Sequence, residues 1–153
     1  LMERAYKVAS HSPDTSNQNG AVLVDRDGQI INEGCNDFPR GFVPKPEHLE
    51  RPRKYNFINH AEWSACVGRY AQGMTLVVPW YSCTICARTI VLAGVRAVIG
   101  HLPRMNMTPD RWLEEIKDGD YILDKAGVQR DYLTSTILLD EPIYINGVKT
   151  HRV

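Results

Sequence analysis

Apolar and polar positions along the chain change rhythm several times, and each rhythm predicts an element. Residues 1–12, "LMERAYKVASHS", place Leu1, Ala5, Val8 and Ala9 at helical spacing, with Pro13 and Asp14 closing the helix. The runs "GAVLVD" (20–25) and "QIINEG" (29–34) are β-rich and are joined by "RDG", a glycine-containing connection of hairpin length, which predicts an antiparallel pair. Residues 35–59 are rich in proline and basic residues and keep no period, so they are expected to form a long loop, a feature that is often functional.

A helical period returns at His60 with "HAEWSACVGRYAQG", predicting about three turns ending at Gly73, and the strand "MTLVVPW" follows. Residues 83–93 predict a second helix stopped by Gly94, and "VRAVIG" the strand after it. In residues 108–128 Trp112, Ile116, Leu123 and Ala126 share one helical face, with Gly119 weakening the middle. Strands alternating with helices point to parallel pairing, so the expected fold class is α/β, a mixed sheet with helices on both faces. The chain is expected to be one domain over residues 1–153. Residues 134–153 form an extension of β or extended character around "EPIYING", with no placement implied.

Composition narrows the function classes. Hydrophobic residues make up 43% of 153 residues, enough for one substantial core. Eighteen basic residues balance eighteen acidic ones, so no global field favours a nucleic acid backbone or an anionic membrane. No run approaches the roughly 18 apolar residues of a membrane span, and the N-terminus lacks the layout of a secretion signal. The expectation is a soluble, cytoplasmic protein. Four cysteines could form two disulfides, which a chain with this apolar content does not need. Cys35 and Cys66, each alone among apolar neighbours, are expected in the core.

Cys83 and Cys86 are different, because a C-x-x-C pair opening a helix can be a redox pair, part of a zinc site, or packing. His60 opens the preceding helix. In consecutive parallel helices on one sheet face both N-termini point to the same end, so His60, Cys83 and Cys86 can meet despite their separation. One imidazole and two thiolates provide three tetrahedral ligands and leave a fourth position open, the arrangement of a catalytic zinc site. Glu62, two residues after His60, can lean over that position and move a proton. A thioredoxin-like redox pair and a zinc module that only binds are the rival classes; neither has a use for His60-x-Glu62 as an acid/base.

H-x-E followed by C-x-x-C is a known signature of zinc deaminases. On it, and on "SPDTSNQNGAVLVD", "EGCNDFPRGF", "KYNFINHAEWSA", "CTICARTIVLAGVRAVIG" and "DKAGV" in the family's order, residues 5–130 resemble the cytidine deaminase superfamily and, within it, the deoxycytidylate (dCMP) deaminases. The resemblance implies a cytidine-deaminase-like three-layer fold with about five central strands. It also implies Zn2+ held by His60, Cys83 and Cys86, and hydrolysis of dCMP to dUMP and ammonia with Glu62 as the catalytic acid/base. Cytidine, deoxycytidine or another nucleobase compound is the alternative substrate. Backbone groups at Ala61 and Ser82 would orient the base, and Asn36 would meet the sugar. Ser82 replaces the family's usual proline, but only its carbonyl is expected to act. Tyr81 is the candidate to stack on the base, with Trp80 in the core. Of the basic residues in the 40–54 loop, Arg40 and Lys54 are the candidates for a 5′-phosphate. A homo-oligomer is expected. Effector control by dCTP and dTTP belongs to the family picture, but Asp37 stands where a glycine is usual and argues against it.

Overall fold

The computed structural model describes residues 1–153. Helix α1 (Met2–Ala9) turns Met2, Ala5, Tyr6 and Ala9 inward, one face of a 3.6-residue period. Strands β1 (Gly20–Val24) and β2 (Ile30–Cys35) pair antiparallel as expected. Helix α2 (Ala61–Cys66), strand β3 (Thr75–Val77), helix α3 (Thr84–Leu92), strand β4 (Ala97–His101), short helix α4 (Leu102–Met105), helix α5 (Asp110–Lys125) and strand β5 (Gln129–Leu133) follow. The strand order is β2-β1-β3-β4-β5, with β1 antiparallel to β3 and the last three strands parallel. This is the expected mixed sheet.

Every residue of β1 is buried because both faces of the sheet are covered. Ala21 and Leu23 pack with Ala61 and Ala65 of α2, Ile90 of α3 and Leu123 of α5. Val22 and Val24 point the other way, toward Met2, Ala5 and Ala9 of α1. The two-residue period of a strand thus builds two cores from one run of sequence. Truncating a fully buried leucine such as Leu23 or Leu76 to alanine would cost about 2–5 kcal/mol.

Two elements depart from the sequence expectation, and the expected C-terminal β extension gains a placement. Helix α2 ends at Cys66, not Gly73, because Val67 takes extended angles (φ −71°, ψ 134°) and Gly68 a positive φ of 75°. Strand β5 was not expected, since "QRDYL" has no apolar alternation; its place comes from pairing with β4. The C-terminal residues form a hairpin of β6 (Leu138–Ile145) and β7 (Val148–Arg152), turned by Asn146 (φ 52°) and Gly147 (φ 81°).

The hairpin packs on α1, with Ile137, Ile143, Ile145 and Val153 completing the second core. Its turn also grips the chain that follows α1: Asn146 N–H donates to Asn17 Oδ1 (2.9 Å), Gly147 N–H to the Ser16 carbonyl (2.8 Å), and Gln18 N–H to the Tyr144 carbonyl (2.9 Å). His101, wholly buried at the end of β4, joins the same layers. The Ser135 carbonyl, 2.7 Å from its Nε2, can only accept, so Nε2 carries the proton and Nδ1 accepts from Tyr6 Oη at 2.6 Å. Burial lowers the His101 pKa and keeps the ring neutral.

Candidate active site

Two helix beginnings create the site. His60 is the residue immediately before α2 and Cys83 the residue immediately before α3, both in extended conformation. Helix α5 crosses close to the start of α3, and Gly119 makes that approach possible: a Cβ there would collide with the carbonyl oxygen of Ser82. The glycine that weakens α5 as a sequence therefore fits it against the segment leading into Cys83.

His60 Nδ1 lies 3.2 Å from Cys86 Sγ and 3.4 Å from Cys83 Sγ, and the three donor atoms lie within 4.8 Å of one another. Around a tetrahedral zinc, bond lengths of about 2.0–2.1 Å to nitrogen and 2.3 Å to sulfur put N and S roughly 3.5 Å apart. The donor set and its spacing fit zinc. Without metal, the same atoms share protons. A hydrogen bond from Cys86 holds the Cys83 thiol down near 4, while that bond and burial push the Cys86 thiol well up. Burial opposes charge on His60, but the bond to Cys83 and the charges of Glu62, Cys83 and Glu115 outweigh it and raise its pKa to about 9. Such a cluster releases protons when a cation takes their place.

Glu62 is 3% exposed, and burial raises its carboxyl to about 7. It lies with His60 and Cys83 in the lining of one cleft. Asp14, Asn17, Asn19 and Asn36 form a polar side of the cleft; Tyr55, Trp80, Trp112 and Ile116 form an apolar one. Trp112 meets both Tyr55 and Trp80 edge-on, at centroid distances of 5.5 and 6.3 Å.

Residues 1–102 match the family described as the cytidine and deoxycytidylate deaminase zinc-binding region. The chain belongs to this family. An uncharacterized deaminase from the luxG 3′ region of Aliivibrio fischeri is 32% identical over 143 residues, covering 90% of this chain and 94% of that protein. The deoxycytidylate deaminase of Mus musculus is 31% identical over 108 residues, 65% of this chain, and the matched region spans 61% of the mouse protein. Among solved structures, the dCMP deaminase of cyanophage S-TIM5 in complex with dCMP and dUMP superposes with a TM-score of 0.67 at 26% identity, covering 86% of this chain and 93% of that one. The deaminase fold expected from the sequence is the fold observed, and zinc is the family's metal.

Within the deaminase cleft, the expected substrate contacts divide. Asn36, Ala61, Tyr81 and Lys54 line it; Arg40 is exposed elsewhere, and Ser82 is buried behind the lining. The Asn36 side chain is engaged by the neighbouring loop, with Oδ1 accepting from Asn19 N–H at 2.8 Å and Nδ2 donating to the Asn17 carbonyl at 2.9 Å. Lys54 is buried and donates to Asp14 Oδ2 at 2.7 Å, so it reaches the cleft as half of an ion pair. Arg51, exposed and lining the cleft, belongs to no ion pair. Both aromatic residues line the cleft, but they differ in exposure and partners. Tyr81 is 1% exposed and donates its O–H to Tyr132 Oη at 2.8 Å, whereas Trp80 is partly exposed in the cleft and donates Nε1–H to Thr108 at 2.9 Å.

Asp14, Asn17, Asn19 and Trp112 were not singled out from sequence as cleft residues. The only local signal was the polar run "DTSNQN", which is equally the composition of a turn. Cys35 and Cys66 are unpaired; Cys66 packs in the core as expected, whereas Cys35 is half-buried outside both cores, and burial raises their thiols to about 12 and about 11 respectively.

Proposed function

We propose that this chain is a zinc-dependent deaminase of a cytosine nucleotide, converting dCMP and water to dUMP and ammonia. The carrying observation is the convergence of His60, Cys83 and Cys86 with buried Glu62 at one cleft that also presents Arg51 and the Lys54–Asp14 pair. His60, Cys83 and Cys86 would hold zinc, which when bound acts as a Lewis acid and eases deprotonation of water at its open position.

The chain's residues would do the rest. Glu62 takes a proton from the attacking water and returns it to N3 of the cytosine; a second transfer goes to the departing amine at C4. A carboxyl held near neutrality by burial can both accept and return that proton. The Ala61 backbone lies beside Glu62 in the cleft lining and orients the base. The Ser82 carbonyl oxygen sits against Gly119 of α5 and outside the cleft lining, so no amine contact is assigned to it. Trp80 and Trp112 supply apolar faces that exclude water, and Arg51, not Arg40, is the free cation at the cleft for a 5′-phosphate.

A homo-oligomer in the cytoplasm accompanies this reading; no helix is long and apolar enough to cross a membrane. Asp37 bridges to Asn59 through the backbone and does not line the cleft, so we place no dCTP or dTTP effect on it. The test is ammonia release from dCMP, CMP, deoxycytidine, cytidine and a short single-stranded oligonucleotide, with and without dCTP and dTTP. Fastest release from dCMP is expected. Equal or faster release from deoxycytidine would exclude the nucleotide assignment, and release from none would leave a binding module.

A further inference from the structure

One charged side chain near the cleft is unused by the chemistry above. Arg104 of α4 is 1% exposed, and none of the chain's ion pairs includes it. Its Nη2 donates to Asn17 Oδ1 at 3.1 Å, its guanidinium carbon sits 4.5 Å from the centre of the Trp80 ring, and its buried Nη1 has no hydrogen-bond partner in the protein. Asn17 and Trp80 are both cleft-lining residues, so the guanidinium stands one side chain behind the wall. Burial lowers its pKa only to about 10, which leaves it cationic at neutral pH.

A buried cation without a carboxylate is costly to maintain. The nearer cation, Lys54, is cancelled by Asp14 at 2.7 Å. Arg51 is exposed, where solvent and salt weaken its field. Arg104 is thus the one cation at this cleft that is both shielded from water and uncompensated.

We propose that Arg104 is a specificity-determining residue that biases the cleft toward anionic, 5′-phosphorylated ligands, acting from behind Trp80 and Asn17 without touching the ligand. The ligand class rests on the nucleotide reading above; the role of Arg104 is additional to it. An anion entering the cleft supplies the counter-charge that the fold withholds, so binding the phosphorylated form recovers energy that the neutral nucleoside cannot. Coulomb's law at an effective dielectric of about 20 gives roughly tenfold for one unit charge at about 10 Å.

The test uses zinc-loaded protein and calorimetric titration with dUMP and with deoxyuridine. Arg104→Gln keeps a donor for Asn17 but no charge, and Arg104→Met fills the space against Trp80 with neither. Asn17 stays anchored by Asn146 N–H in both, which supports folding of at least one. Arg104→Lys retains the charge. In the neutral variants the preference for dUMP over deoxyuridine should fall about tenfold, whereas Arg104→Lys should restore most of it. A structural role would weaken both ligands together, and that parallel loss, or an unchanged preference, overturns the proposal. Parent protein that binds dUMP no better than deoxyuridine would instead refute the nucleotide reading, and this proposal with it.

Discussion

The Lys54–Asp14 pair offers the most quantitative check on the cleft. Both side chains are almost wholly buried, at 4% and 7% exposure, with their charges 2.7 Å apart. Asp14 Oδ1 also accepts the Ser16 N–H at 2.9 Å, and Asn36 Nδ2 lies 3.5 Å from Oδ2. Lys54→Met would leave the carboxylate with one good hydrogen bond and no counter-charge, a loss of about 3–5 kcal/mol for a buried pair broken on one side. At 2–4 °C per kcal/mol for a chain of this size, the melting temperature should fall by roughly 6–20 °C. Asp14→Asn preserves the Oδ1 acceptor but strands the ammonium, with a similar penalty. The double variant removes both charges and should be more stable than either single one. Equilibrium denaturation of zinc-loaded protein across the four-member cycle gives the coupling directly. A loss under about 1 kcal/mol for Lys54→Met, or strict additivity in the double variant, would refute a tightly coupled buried pair.

Glu62→Gln should retain fold and zinc while turnover falls by about 10²–10⁴-fold, since the amide keeps the shape and cannot shuttle the proton; a rate within tenfold of the parent would assign that work to another residue. The parent should carry about one zinc per chain, and His60→Ala or Cys83→Ala should lose it, because two remaining ligands do not complete the site. Elemental analysis finding full zinc in His60→Ala would remove this cluster as the metal centre.

The metal centre was legible because its information is local. His60 and the Cys83/Cys86 pair each mark a point where a loop or strand gives way to a helical period, and two helices on one sheet face bring their starts together. The strands with a clear apolar signature were legible for the same reason. Strand β5 was not, since its polar "QRDYL" becomes a strand only through its register against Ala97–His101. The end of α2 was misjudged because the apolar positions Val67 and Tyr70 continue the period on paper, whereas in the fold both are exposed beyond a chain reversal at Gly68.

The cleft wall needed information that no local pattern holds. From sequence, no local pattern ranks the basic residues of the 40–54 loop, among which Arg40 and Lys54 are the candidates. Asp14, forty positions from Lys54, cancels its charge, while Arg51 lines the cleft without an ion pair. Trp80 and Tyr81 are likewise fixed by distant partners. Tyr132, on the strand that the pattern hid, accepts the Tyr81 hydroxyl and draws that ring inward, while Arg104 and Thr108 hold the Trp80 indole at the cleft. Both rings line the cleft, so the surface a substrate would meet is decided by contacts on the side it never touches.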